Sequence, residues 1–153
     1  WSANLREDKG YTYGTHSNFE HPAAGSRLVL STDVATEVTA PALLESWYEL
    51  GRIATLPVGQ EELDQARRYA IGSLQVGTAS QGGLASLLSM LAASGLGVDY
   101  LRDFPKQLLA VTVDDVLAAA STYLTPKHLT TVVVGDAAVI GDAVTTLAEV
   151  ERA

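Results

Sequence analysis

The chain contains no cysteine. Disulfides and thiolate metal sites are thereby excluded. The compartment stays open between cytoplasm and periplasm, because proteins of either can lack the residue. Positive charge is scarce: ten Lys and Arg stand against eighteen Asp and Glu, a formal net charge of -8. Nucleic acid is a poor partner for that balance, since a phosphate backbone is held by clustered lysine and arginine. No apolar run approaches the roughly 20 residues of a bilayer-spanning helix. The longest candidate, residues 84–91, is broken by serines. Histidine is limited to His16, His21 and His128. No H-E-x-x-H or H-x-x-E-H motif holds any of them, so they read as turn, surface or strand-flanking residues and the expected metal set is none. No G-x-S-x-G elbow or phosphate loop occurs either.

What remains is a chain of 153 residues, 47% hydrophobic, enough for a core within one domain. It opens on Trp1 in mid-element, without a secretory leader, and reads as a piece of a longer polypeptide. Residues 1–8 read as the last turns of a helix, with Gly10 as the stop. Tyr11, Thr12 and Tyr13 then favour a strand to about residue 20. His21-Pro22-Ala23-Ala24-Gly25 reads as the connection to a second strand over residues 26–32, completing a hairpin.

Helical periodicity follows. A long helix is expected over residues 34–54, with Leu43, Leu44, Trp47, Leu50 and Ala54 as its apolar stripe. A second is expected over 60–76, with Asp64 and Arg68 paired four apart. Leu84, Leu87, Leu88 and Leu91 mark a third, ending near Gly95 and Gly97. A fourth, over 98–109, is expected to be interrupted by Pro105. Thr112 and Asp115 resemble a helix-starting cap for a fifth, with Val113, Val116, Ala119, Ala120 and Tyr123 on one face and a stop at Thr125-Pro126. The β-branched run 129–134 reads as a buried central strand, and 140–152 as a closing helix. The fold class is α+β: an antiparallel or mixed sheet with helices packed on one face.

The stretch with chemical promise is residues 4–14. Arg6 lies on the helix side of the Gly10 turn and Tyr13 on the strand side. One reading is a surface arginine and a tyrosine whose ring enters the core. The other is electrostatic: a permanent cation and a phenolic donor converging on a carbonyl oxygen that becomes an oxyanion.

Leu5-Arg6-Glu7-Asp8-Lys9-Gly10-Tyr11-Thr12-Tyr13 resembles a signature of the C-terminal half of pitrilysin/insulinase zinc peptidases, the group that includes mitochondrial processing peptidase. Glu61-Glu62-Leu63 with Ala66 and Arg67, the helix entry at 111–116, and Val132-Val133-Val134-Gly135-Asp136 follow in the family's order, so the resemblance covers most of the chain. It implies the LuxS/MPP-like metallohydrolase fold, with the leading strands absent, and a single partial domain over 1–153, the C-terminal portion of a peptidase-like repeat unit. It implies that zinc sits in the N-terminal half or a partner subunit, so this chain is not a complete peptidase alone. Arg6 and Tyr13, seven positions apart, would contact the carbonyl of a peptide substrate within an oligomer. Tyr11 inherits no role. The alternative it carries is a non-catalytic scaffold or assembly subunit of the same fold.

Overall fold

The computed structural model describes residues 1–21, 25–125 and 128–151. The connection expected through Pro22, Ala23 and Ala24, the stop at Pro126, and the tail end at Arg152 lie outside the described residues. In chain order the elements are a π-helical segment Ala3–Asp8, strands β1 (Thr12–Glu20) and β2 (Arg27–Val34), a 3-10 turn Thr36–Val38, and six α-helices. The helices are α1 (Thr39–Thr55), α2 (Gln60–Thr78), α3 (Gln81–Ala93), α4 (Asp99–Ala110), α5 (Val113–Tyr123) and α6 (Ala137–Thr145). The architecture is α+β, as the sequence leads one to expect. It divides into two compact units, Trp1–Arg52 with Leu124–Ala153, and Ile53–Tyr123.

In the first unit β1 and β2 form the expected antiparallel hairpin, running from Glu20↔Arg27 to Thr12↔Val34. Leu28, Leu30, Thr32 and Val34 are half-buried at alternate positions of β2, while Arg27, Ser31 and Asp33 face solvent. Pairing with Thr12 keeps Val34 extended, so the helical path begins after it rather than at it. On α1 the inward stripe is Ala42, Leu43, Ser46, Trp47 and Leu50. Leu44 does not join it and is 51% exposed, because successive helical residues rotate by about 100° and cannot share a narrow face with Leu43. Leu5, Ala42, Ile140 and Val144 are the buried hydrophobic core of this unit. Helix α6 starts earlier than expected because the Asp136 carboxylate accepts from Ala138 N–H at 2.9 Å and caps it there.

Residues 129–134 are not a buried strand. They have no backbone partner among the described residues, and Val132 and Val134 are 80% and 96% exposed. A β-branched run favours extension, but burial needs neighbours, and the sheet here contains only β1 and β2.

The second unit is helical. Leu63, Leu91 and Ala120 are buried in it, as is Ala54 near the end of α1. The Thr112 cap holds: Asp115 N–H donates to Thr112 Oγ1 at 3.1 Å and Thr112 N–H to the Asp115 carboxylate at 2.8 Å. Those bonds from Thr112 hold the Asp115 carboxyl below its usual range. The inner face of α5 is Val113, Val116, Leu117 and Ala120, with Ala119 and Tyr123 turned out. Asp64 pairs with Arg67 at 2.6 Å rather than with Arg68. Arg67 also donates to the Val111 carbonyl at the end of α4, a second acceptor that Arg68 does not share. Helix α4 runs through Pro105 without interruption. The proline withdraws one N–H, but Leu101, Phe104 and Leu108 keep a half-buried apolar face on either side of it.

Candidate functional site

The turn over residues 4–14 is built by local hydrogen bonds around one buried side chain. Leu5 is fully buried and anchors the π-helical segment. Lys9 N–H donates to the Asn4 carbonyl and Tyr11 N–H to the Leu5 carbonyl, each at 2.9 Å. Gly10 between them has φ +65°, a left-handed conformation that an L side chain adopts only with strain. The expected glycine stop is therefore present, but the helix before it is a π-helix, whose hydrogen bonds span one residue more than those of an α-helix. Wide turns of this kind recur at functional sites.

Side chains dock the segment onto α1. Asn4 Nδ2 donates to Glu45 at 2.9 Å and to Glu49 at 3.0 Å. Lys9 Nζ lies 3.1 Å from Glu45, and Arg52 lies 2.9 Å from Glu49. The Asn4 hydrogen bond, then that of Lys9, holds the Glu45 carboxyl below the usual glutamate range. Burial pushes the Glu49 carboxyl up, but hydrogen bonds from Asn4 and Arg52 outweigh it and the net direction is down. The hydrogen bond to Glu45, reinforced by its charge, raises the Lys9 ammonium above its ordinary value.

The strand side carries a β-bulge. Thr12 pairs with Val34 and Thr15 with Thr32, so Tyr13 and Gly14 together oppose Asp33 alone. Two threonine hydroxyls satisfy the disturbed backbone. Thr12 Oγ1 lies 2.8 Å from the Gly14 carbonyl and 2.7 Å from the Asp33 carbonyl, and accepts from Gly14 N–H at 3.1 Å. Thr32 Oγ1 lies 2.8 Å from Thr12 Oγ1 and 3.0 Å from the Gly14 carbonyl. An extra residue in one strand re-aims the side chains beside it. Here that residue pair includes Tyr13, which is 93% exposed rather than in the core.

Arg6 and Tyr13 come together. The guanidinium carbon stands 5.6 Å from the centroid of the Tyr13 ring, a cation–π contact of about 0.5–1 kcal/mol at an exposed site. No salt bridge or side-chain hydrogen bond engages either one among the described residues, so the guanidinium edge and the phenolic hydroxyl keep their donors available. Tyr11, two positions before Tyr13, is half-buried. Gly14 within a strand pattern was the available signal for the bulge. Nothing in the sequence marked Asn4, Glu45 and Glu49 as a docking network, because their proximity depends on tertiary placement.

The histidines lie apart from this pair. His16 is exposed in β1, His21 Nδ1 meets Ser26 Oγ at 2.8 Å, and His128 Nδ1 lies 3.3 Å from Thr125 Oγ1. Among the described residues no group of three His, Cys, Asp or Glu gathers as a metal site. The donors among the described residues therefore do not form a set that fits zinc. No helix among the described residues is long and apolar enough to cross a membrane.

Comparison with known proteins gives a fold-level answer. No protein-family model matches the chain, and no curated protein does. It is similar to the crystal structure of a peptidase M16 inactive domain from Pseudomonas fluorescens, with TM-score 0.70 and 29% identity over 84% of this chain and 29% of that one. It is also similar to a protease from Helicobacter pylori, with TM-score 0.63 and 16% identity over 82% of this chain and 30% of that one. At 16% identity that likeness is one of fold alone. The chain spans less than a third of either structure. These neighbours support the pitrilysin/insulinase family, peptidase M16, at the coarse level of fold.

Proposed function

We propose that this chain is the zinc-free, substrate-contacting part of an M16-type endopeptidase of the processing-peptidase kind, and the C-terminal portion of one peptidase-like repeat unit. The observation that carries the reading is the Arg6 guanidinium over an exposed Tyr13 ring, with the donors of both unengaged among the described residues. As water adds to a peptide carbonyl, its oxygen goes from a partial to a full negative charge. A guanidinium N–H and a phenolic O–H aimed at that oxygen hold the charged state more strongly than the neutral one, which lowers the barrier. The π-helical turn positions the guanidinium and the bulge positions the phenol, so little reorganisation is left to the reaction.

Both groups face solvent in this chain, and water weakens such interactions. The site works only when another surface covers it. A zinc-bearing N-terminal half or partner subunit would supply that surface, and the metal held there would supply Lewis-acid chemistry at the carbonyl and the attacking water. This reading places the metal's ligands outside this chain, since no group of three His, Cys, Asp or Glu gathers among the described residues.

The expected outcome in the zinc-bearing assembly is that Tyr13→Phe or Arg6→Ala lowers kcat by roughly a hundred- to a thousandfold with zinc content unchanged. Wild-type turnover in both variants would sink the assignment. A second reading has its own support: the Pseudomonas structure is described as an inactive domain. Under it this chain is a scaffold of the same fold, and the two substitutions leave assembly intact and touch no activity.

A further inference from the structure

We infer that Glu45 is a positioning residue for Arg6: its carboxylate clasps the two ends of the π-helical turn that presents the guanidinium to Tyr13. Arg6 has no anchor of its own. Among the described residues its side chain makes no hydrogen bond or ion pair, and what it meets is the Tyr13 ring, 5.6 Å away. A side chain that long is placed only as well as the backbone that carries it.

That backbone is tied at Asn4 and Lys9, on either side of Arg6. Lys9 N–H donates to the Asn4 carbonyl at 2.9 Å, the five-residue closure of a π-turn. Glu45 joins the same two residues through their side chains. Its Oε2 accepts from Asn4 Nδ2 at 2.9 Å, and its Oε1 lies 3.1 Å from Lys9 Nζ. The second tie selects the geometry of the first. In an α-helix each residue turns by about 100°, so residues five apart point about 140° away from each other, and one carboxylate is poorly placed to take both. In a π-turn they are hydrogen-bonded neighbours on nearly the same side. A turn released by Glu45 is free to tighten to α spacing, which rotates Arg6 away from the ring.

The stability of α1 does not explain this arrangement. Glu45 and Glu49 lie four apart on that helix, where like charges repel. Asn4 Nδ2 also donates to Glu49, at 3.0 Å, so one uncharged group with two N–H donors bridges the pair. Two carboxylates that disfavour their own helix are thus set where they hold the turn. The catalytic consequence rests on the oxyanion role proposed for Arg6. The clasp itself does not, so its test begins with geometry.

The test is the nuclear Overhauser contact between the Arg6 side chain and the Tyr13 ring, measured on the chain and on three variants. Glu45→Gln keeps the size of the side chain but offers a single acceptor oxygen to two donors. Lys9→Ala opens one end of the clasp from an exposed position, and decides the matter alone if Glu45→Gln does not fold. Asp8→Asn removes one negative charge from the same turn at an exposed position outside the clasp. The expected result is loss of the contact in Glu45→Gln and Lys9→Ala, with the contacts between β1 and β2 unchanged, and its retention in Asp8→Asn. A contact kept in every folded clasp variant would overturn the proposal, as would its equal loss in Asp8→Asn. In the zinc-bearing assembly Glu45→Gln should lower kcat roughly ten- to a hundredfold, with KM and zinc content unchanged. Loss of the contact with kcat unchanged would uphold the clasp and remove the oxyanion role from Arg6. A lowered kcat with the contact intact would overturn the clasp.

Discussion

The turn at residues 4–14 and the run at 128–135 belong to the same compact unit, yet they are held in opposite ways. The turn carries its own anchors: a buried leucine, a left-handed glycine, a bulge closed by threonine hydroxyls, and an asparagine bonded to two carboxylates. The run carries the sequence of a strand without the neighbours of one. The first is specified by residues within the chain. Residues 129–134 of the second have no backbone partner among the described residues. Residue types set a local preference in both stretches, and among the described residues only the first finds backbone hydrogen-bond partners for it.

The contrast can be broken by substitution, starting where the effect is greatest. Leu5→Ala removes the fully buried anchor of the turn, and chemical denaturation should show a loss of about 2–5 kcal/mol. Gly10→Ala should cost about 1–2 kcal/mol by the same measurement, since an L side chain is forced to keep φ near +65°. A loss near zero at both positions would mean that the turn is not held as described.

The docking network adds a pH dependence. Glu45 and Glu49 have folded values below the ordinary 4.5, so the stability they contribute is present above that value and lost as pH falls through their lowered folded values. Lys9 works in the other sense. Its folded value is raised above 10.5, so its contribution is full below that value and lost as pH rises through the folded one. The melting temperature should decline on acidification below about pH 4.5, and Asn4→Ala should flatten that decline. An unchanged acid limb in Asn4→Ala would remove Asn4 from the network. The smallest effect belongs to the other region: Val132→Thr in the chain alone should stay within about 0.5 kcal/mol, because its side chain is already in water.

Local signals were legible in the sequence. Gly10 stopped the helix, the Thr112 and Asp115 spacing made its cap, and the hairpin followed from two β-rich stretches around a loop. Non-local choices were not. Whether Asp64 takes Arg67 or Arg68 depends on the carbonyl of Val111, forty-four positions beyond Arg67. The convergence of Arg6 and Tyr13 was expected, but the bulge that turns the ring to solvent rests on a register offset with β2. The run at 129–134 reads as buried from residue types that report only a preference for extension, whereas burial belongs to the neighbours. Pro105 shows the same limit from the other side: a helix-breaking residue is overridden where the face around it packs.

The central claim is that Arg6 and Tyr13 act as one oxyanion-stabilising unit. The direct measurement is a double-mutant cycle on kcat, with Arg6→Ala, Tyr13→Phe and both together in the zinc-bearing assembly. The account predicts a loss of roughly a hundred- to a thousandfold in each single variant and a double loss well short of their product, as for groups that share one charge. Unchanged kcat in the single variants, with zinc retained, would contradict it.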